Sequence, residues 1–216
     1  MTTNDVITLF HSPQSRSSAT LTLLEELGVP YDLHVLNMKA GEQRQSAFLA
    51  INPMGKVPAI LHRGELITEQ VACFIYLADL FPEAGLAPHL GDPQRGPYLR
   101  WLVFYAACYE PGMVDVALKR EPGPPAMSPY GDFETVLGTL IQRLGEAPYL
   151  LGETISAADV LWGTALQWGM LFKIVPEHPV LVEYAARIAA RPAFARVSEA
   201  DAMRASEHEA ALAVQG

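Results

Sequence analysis

Apolar residues in the N-terminal third of the chain switch between two spacings, and the switch predicts alternating strands and helices. VITLF (6–10) is short, β-branched and apolar, as a buried strand requires. After His11-Ser12-Pro13, helical spacing takes over across 15–27 and gathers Ala19, Leu23, Leu24 and Leu27 on one face. Gly28 stops that helix, with Pro30 just beyond. A second strand is predicted over 31–36, which completes a right-handed βαβ unit. Residues 39–50 are polar and weakly helical. Strands over 57–61 and 65–67, separated by His62-Arg63-Gly64, have the spacing of an antiparallel hairpin. A helix over 69–81 carries Val71, Phe74, Ile75, Ala78 and Phe81 on one side and Cys73, Tyr76 and Leu77 on the other. Apolar nearly all round, it is expected to lie buried between two layers.

Pro and Gly crowd residues 81–97, marking a linker, and beyond them strand patterns nearly vanish. Helical patterns run over 94–119, 130–144, 157–172 and 179–190. Glu121-Pro122-Gly123-Pro124-Pro125 separates the first two, and Glu110-Pro111-Gly112 is expected to kink the first. The expected layout is an α/β domain over 1–83, a linker over 84–93 and an all-helical domain over 94–216.

Half of the 216 residues are apolar, enough for a real core. A formal charge of −9 argues against a nucleic-acid partner, whose phosphates need a basic face. The two cysteines, Cys73 and Cys108, form no CxxC or metal-like spacing, which excludes a disulfide framework and fits a reducing compartment. The first residues lack the basic-then-apolar character of a leader, and no apolar run approaches the ~20 residues a membrane helix needs. A soluble, cytoplasmic protein without metal is expected.

Pro58 stands where the third strand wants a backbone N–H. In trans, Val57-Pro58 would be an ordinary turn. In cis it would bend the strand start and turn the N–H and C=O of Val57 outward, toward an extended peptide-like ligand. On the dipeptide alone both stay open.

The order βαβ, Val-Pro, hairpin, helix is the thioredoxin-like arrangement. "FHSPQSRSS", "NPMGKVPAI", "LITEQVACFIYLAD" and "GETISAADV", in this order over nearly the whole chain, resemble the glutathione transferases, most nearly the bacterial serine- or cysteine-type members. The resemblance implies an α/β thioredoxin-like N-terminal domain followed by an all-α C-terminal helical domain. It implies that glutathione is the co-substrate, its cysteinyl backbone on the main chain of Val57 beside Pro58, its γ-glutamyl end on Glu69 and Gln70. A helix N-terminus there would offer N–H groups and a positive dipole end to a carboxylate. Gln70 stands where the family usually has Ser. For the glycyl carboxylate the candidate cations are Lys39, Arg44 and Lys56, with Lys56 best placed beside Val57.

The thiol activator is expected between the first strand and first helix, where the chain offers His11, Ser12, Ser15, Ser17 and Ser18, with Arg16 among them. Counting back from Gly28 favours Ser15, then Ser17, although Gln14 and Arg16 fall where some relatives put their Ser or Cys. Lowering a thiol by two pKa units takes roughly 2.7 kcal/mol, within reach of a hydroxyl together with helix amides. Neither cysteine lies in that loop, which disfavours disulfide exchange through the protein. The acceptor side is expected on the aromatic stretch holding Trp101, Phe104, Tyr105, Cys108, Tyr109 and Met113. Most of these suit a core; Tyr105 and Tyr109 share a face and carry hydroxyls that could meet a substrate. Ser156 and Asp159 have the spacing of a capping box, a structural device. The reading is conjugation of glutathione to a small apolar electrophile by a homodimer. The alternatives are a glutathione-dependent isomerase, whose Ser-Ser-Cys loop is absent, and a non-catalytic module for protein association, disfavoured by the intact Val57-Pro58 and Glu69.

Overall fold

A computed structural model describes residues 5–121 and 123–215. Strand β1 (Ile7–His11) lies parallel to β2 (Tyr31–Val35), in register from Ile7 opposite Tyr31 to His11 opposite Val35, with α1 (Ser17–Leu27) between them in sequence. After the short α2 (Ser46–Leu49), β3 (Ala59–His62) pairs antiparallel with β1, and β4 (Glu65–Ile67) antiparallel with β3. The sheet order is β2-β1-β3-β4, and α3 (Gln70–Leu80) follows. The central strands bury Ile7, Leu9, Phe10, Ala59 and Ile60. This is the expected thioredoxin-like unit, and an all-helical unit follows it.

Around the first loop and the Val57-Pro58 turn, boundaries move for local reasons. β1 extends to His11, and α1 starts at Ser17 rather than 15, because Gln14 takes a left-handed φ of 55° and Ser15 closes a turn by accepting the N–H of Ser18 at 3.0 Å. β3 begins at Ala59, since proline has no N–H to enter the ladder; the Val57-Pro58 bond is cis. α3 is buried on one side, through Cys73, Phe74, Leu77 and Ala78, while Val71, Ile75 and Tyr76 are half-buried. Its apolar circumference therefore overstated its burial.

In the helical unit the expected 94–119 helix divides into α4 (Arg95–Phe104), a widened π turn over Tyr105–Tyr109, and α5 (Glu110–Ala117). Pro111 sits in the first turn of α5 and has no N–H to return to the preceding turn, so the helix widens where a kink was expected. α6 (Phe133–Glu146), α7 (Ala157–Leu171) and α8 (Pro179–Ala189) complete the unit. A Cβ on Gly163 of α7 would lie 2.4 Å from Ile188 of α8, so glycine is what lets those helices meet. α7 opens on the expected capping box. Asp159, fully buried, accepts the N–H groups of Leu150 and Ser156 at 2.8 Å each and the hydroxyls of Ser156 and Tyr184 at 2.7 and 2.9 Å.

The last helix, α9 (Pro192–Gln215), corrects the expected domain division. The chain separates into one unit made of the residues up to Ala84 together with those from Pro192 onward, and another spanning Gly85–Arg191. α9 thus belongs with the thioredoxin-like sheet and packs on α1. Its inward face, Ala193, Val197 and Asp201 at four-residue intervals, contains one methyl, one isopropyl and one carboxylate. So thin an apolar stripe leaves no strong helical period in the sequence. Among the described residues no helix is long and apolar enough to cross a membrane.

Candidate functional site

The loop from Ser12 to Arg16 joins the end of β1 to the start of α1. Strand alternation buries His11 completely at that end. Ser17, the first residue of α1, is also completely buried, while Ser15 is half-buried and Arg16 exposed. The two predicted serines touch: Ser15 Oγ lies 2.7 Å from Ser17 Oγ. Ser15 Oγ also donates to the carbonyl of Ser12 at 2.7 Å and accepts the N–H of Ser17 at 3.2 Å. Ser17 Oγ accepts the N–H of Ser12 at 3.0 Å and sits 2.9 Å from Nδ1 of His11. The other ring nitrogen, Nε2, lies 2.9 Å from Oδ1 of Asp201 on α9, whose Oδ2 accepts the Ser18 hydroxyl at 2.5 Å.

Burial pushes the Asp201 carboxyl up. Hydrogen bonds from His11, Ser18 and Arg204 outweigh that and hold it below the usual carboxylate range. His11 stood among the loop candidates without a role, and Asp201 was not foreseen. It lies 190 residues from its partner on a helix without clear periodicity, so no sequence signal tied it to the loop.

Glu69 and Gln70 sit at the start of α3. Glu69 is its N-cap residue, exposed, with a left-handed φ of 63° and no side-chain capping bond. Such backbone in a residue other than glycine costs of order 1 kcal/mol or more. The Gln70 amide donates to the carbonyl of Arg16 at 2.8 Å, which fastens the start of α3 to the serine loop. Val57, half-buried, lies two residues ahead of the last β1–β3 pair, Phe10 opposite Ala59, so sheet pairing does not consume its main chain. The turn before it is held by Asn52, which donates to the carbonyl of Lys56 at 2.8 Å and accepts the N–H of Met54. Gly55 is required there: its φ is 58°, and a Cβ would lie 2.7 Å from the carbonyl oxygen of Gln43.

Of the candidate cations, Lys39 pairs with Glu209 of α9 at 2.6 Å and Arg44 donates to the carbonyl of Met54 at 3.3 Å. Lys56 is exposed. Tyr105 and Tyr109 are buried and stack on one another with centroids 5.5 Å apart, both against Trp162. The Tyr105 hydroxyl donates to Glu110. Burial pushes the Cys73 thiol up to about 12 and the Cys108 thiol up as well, which makes both poor nucleophiles. Among the described residues no group of three or more His, Cys, Asp or Glu side chains is placed to hold a metal ion.

Residues 5–79 match the family description "Glutathione S-transferase, N-terminal domain". The solved glutathione transferase from Methylococcus capsulatus str. Bath superposes with a TM-score of 0.76 and 30% identity, covering 92% of this chain and all of that one. A GST-like protein of Streptococcus mutans is 31% identical over 207 residues, 82% of this chain and 74% of that protein. The chain belongs to the glutathione transferase superfamily. A sphingomonad glutathione S-transferase, solved in complex with glutathione, is also similar, with a TM-score of 0.75, 29% identity, and coverage of 90% of this chain and 98% of that one. Within this glutathione-transferase fold, the serine loop, the Val57-Pro58 turn and the start of α3 all belong to the thioredoxin-like unit.

Proposed function

We propose that the protein conjugates the thiol of glutathione to small apolar electrophiles, using a serine-type loop. The observation that carries the reading is the fastening of the Ser15–Ser17 loop to the head of α3 through Gln70 and Arg16. A tripeptide laid along the main chain of Val57 beside Pro58 would meet α3 with its γ-glutamyl carboxylate and Glu69 with its ammonium. Helix amides and dipole favour the first contact, and an ion pair favours the second. Gln70 contributes a backbone N–H, its side chain being engaged with the loop. The glycyl carboxylate is assigned to Lys56, with Arg44 and Lys39 as the other candidates.

Ser15, half-exposed at the loop, is the hydroxyl assigned to the sulfur, and Ser17 holds it from behind. Binding removes the entropic cost of bringing thiol and electrophile together, and a lowered thiol pKa raises the reactive fraction at neutral pH. The residues assigned to the electrophile are Tyr105 and Tyr109, through their hydroxyls. Activity in a homodimer is part of the proposal, symmetric pairing being the common arrangement.

Calorimetric titration with glutathione and with S-methylglutathione tests the binding half. Both ligands should bind at millimolar concentration or below. Glu69→Ala should weaken both equally, by about tenfold, the worth of one charge-assisted hydrogen bond. Absence of binding at millimolar ligand would favour a module for protein association instead.

A further inference from the structure

From the serine loop a line of hydrogen bonds runs inward to α9 and takes no part in the main-chain cradle for the tripeptide. It passes from Ser15 to Ser17 at 2.7 Å, to Nδ1 of His11 at 2.9 Å, and from Nε2 to Asp201 at 2.9 Å. His11 and Ser17 are completely buried and Asp201 nearly so.

The direction of every bond follows from one fixed end. Asp201 takes the Ser18 hydroxyl on Oδ2 and the Arg204 guanidinium on Oδ1, as an accepting carboxylate does, so Nε2 of His11 carries a proton. In a neutral ring Nδ1 is then bare and, at 2.9 Å, is a nearer acceptor for the proton of Ser17 than the Ser12 carbonyl at 3.2 Å. Ser17 Oγ receives the N–H of Ser12 and has room for one more donor, which is Ser15. Whether Ser15 turns its proton to Ser17 or to the Ser12 carbonyl, that proton points inward. Ser15 Oγ also accepts the N–H of Ser17, which leaves it one lone pair to accept an arriving S–H group.

We propose that Ser15, Ser17, His11 and Asp201 form a proton relay that draws the proton of a bound thiol inward and leaves a thiolate at the loop. The proposal rests on the glutathione-transferase reading of the site. In the step, the S–H bond breaks and its proton joins Ser15 Oγ. The proton of Ser15 passes to Ser17, and that of Ser17 passes to Nδ1 of His11. Each hydroxyl ends with one proton, as it began, but both now point outward. Ser17 donates to Ser15, and Ser15 donates to the sulfur anion. The imidazolium faces the Asp201 carboxylate. After the sulfur has attacked, the proton leaves by the reverse path to the departing group or to solvent.

Ser15 is the group that touches substrate; Ser17, His11 and Asp201 are positioning residues acting through it. Around the ring, α1 supplies Ser17, β2 supplies the apolar Val35 opposite His11, and α9 supplies Asp201. Behind Asp201, Arg204 donates to the same Oδ1 at 3.1 Å and offsets part of its charge.

Nuclear magnetic resonance of the uniformly ¹⁵N-labelled full chain, reading the His11 ring nitrogens and the backbone amides, tests the relay without a mutation. Before ligand is added, the relay requires one protonated and one bare nitrogen on His11. Glutathione should protonate Nδ1, and S-methylglutathione, which has no thiol proton, should leave it bare. A ring that stays neutral with glutathione, or charges with both ligands, overturns the relay. Should neither ligand shift the amide of Val57, the transferase reading itself fails, and the relay with it. A second arm uses His11→Gln, which keeps an N–H for Asp201 but takes no proton. Its thiol midpoint should rise by about one pKa unit, a tenfold change in the ionisation constant, with S-methylglutathione affinity unchanged. A midpoint equal to that of the wild type overturns the proposal. Should this buried substitution unfold the chain, the wild-type spectra decide alone.

Discussion

At the scale of single residues, the site depends on positions whose chemistry or backbone leaves little choice. Gly55 is the sharpest steric case. Gly55→Ala adds a methyl group against the Gln43 carbonyl and forces alanine into a left-handed φ. The expected cost is about 1–3 kcal/mol in chemical denaturation, and glutathione affinity should fall as the Val57 turn shifts. Asp201 gives a pH prediction with a definite sign. Its carboxyl is held below its ordinary value in the folded chain, so its contribution is complete above the unfolded value of about 3.9. As pH falls through the lower folded value that contribution is lost. Asp201→Asn should therefore flatten the acid limb of the stability curve while costing stability at neutral pH. An unchanged acid limb would show that the His11 pair contributes nothing.

At the scale of elements, apolar spacing foretold most of the fold, and its failures have physical causes. β1, α1, β2, the β3–β4 hairpin and α3 were legible because each has a clear period and a Gly or Pro stop. The breadth of the burial of α3 was misread, because an apolar residue in sequence says nothing of what covers it. Helix α9 went unseen because its inward face is Ala193, Val197 and Asp201. Asp201, the innermost charge of the serine loop, was hidden with it. The capping box of α7 was legible, since Ser156 and Asp159 satisfy a local rule. Asp159→Ala would orphan two buried N–H groups and the Tyr184 hydroxyl. Thermal unfolding should report a loss of roughly 2–5 kcal/mol, well beyond an exposed cap.

At the scale of the whole molecule, the chain returns to its first unit with its last helix, which brings Asp201 to His11 at the end of β1. Arg196 pairs with the half-buried Glu25 of α1 at 2.9 Å, and Lys39 pairs with Glu209 at 2.6 Å, an exposed pair that contributes little. Burial of Ala193, Val197 and Asp201 holds α9. Ending the chain after Arg191 should raise hydrogen exchange in α1 and β1 before any change appears in α7 and α8. Equal loss of protection in both units would mean that α9 is not specific to the first. The serine loop, the Val57 turn and the head of α3 were each legible from resemblance and residue type. Their fastening by Gln70 to Arg16 was not, since that contact joins positions that only the fold brings together.

The central claim is that a glutathione thiol bound at Ser15 is held as its anion. Ultraviolet absorbance of the thiolate, followed with pH on the glutathione complex of the wild type and of Ser15→Ala, tests it most directly. The account predicts a wild-type midpoint about two units below the free thiol's ~8.5 and a return of at least one unit toward that value in Ser15→Ala. A wild-type midpoint at the free-thiol value, or one that Ser15→Ala leaves in place, would contradict it.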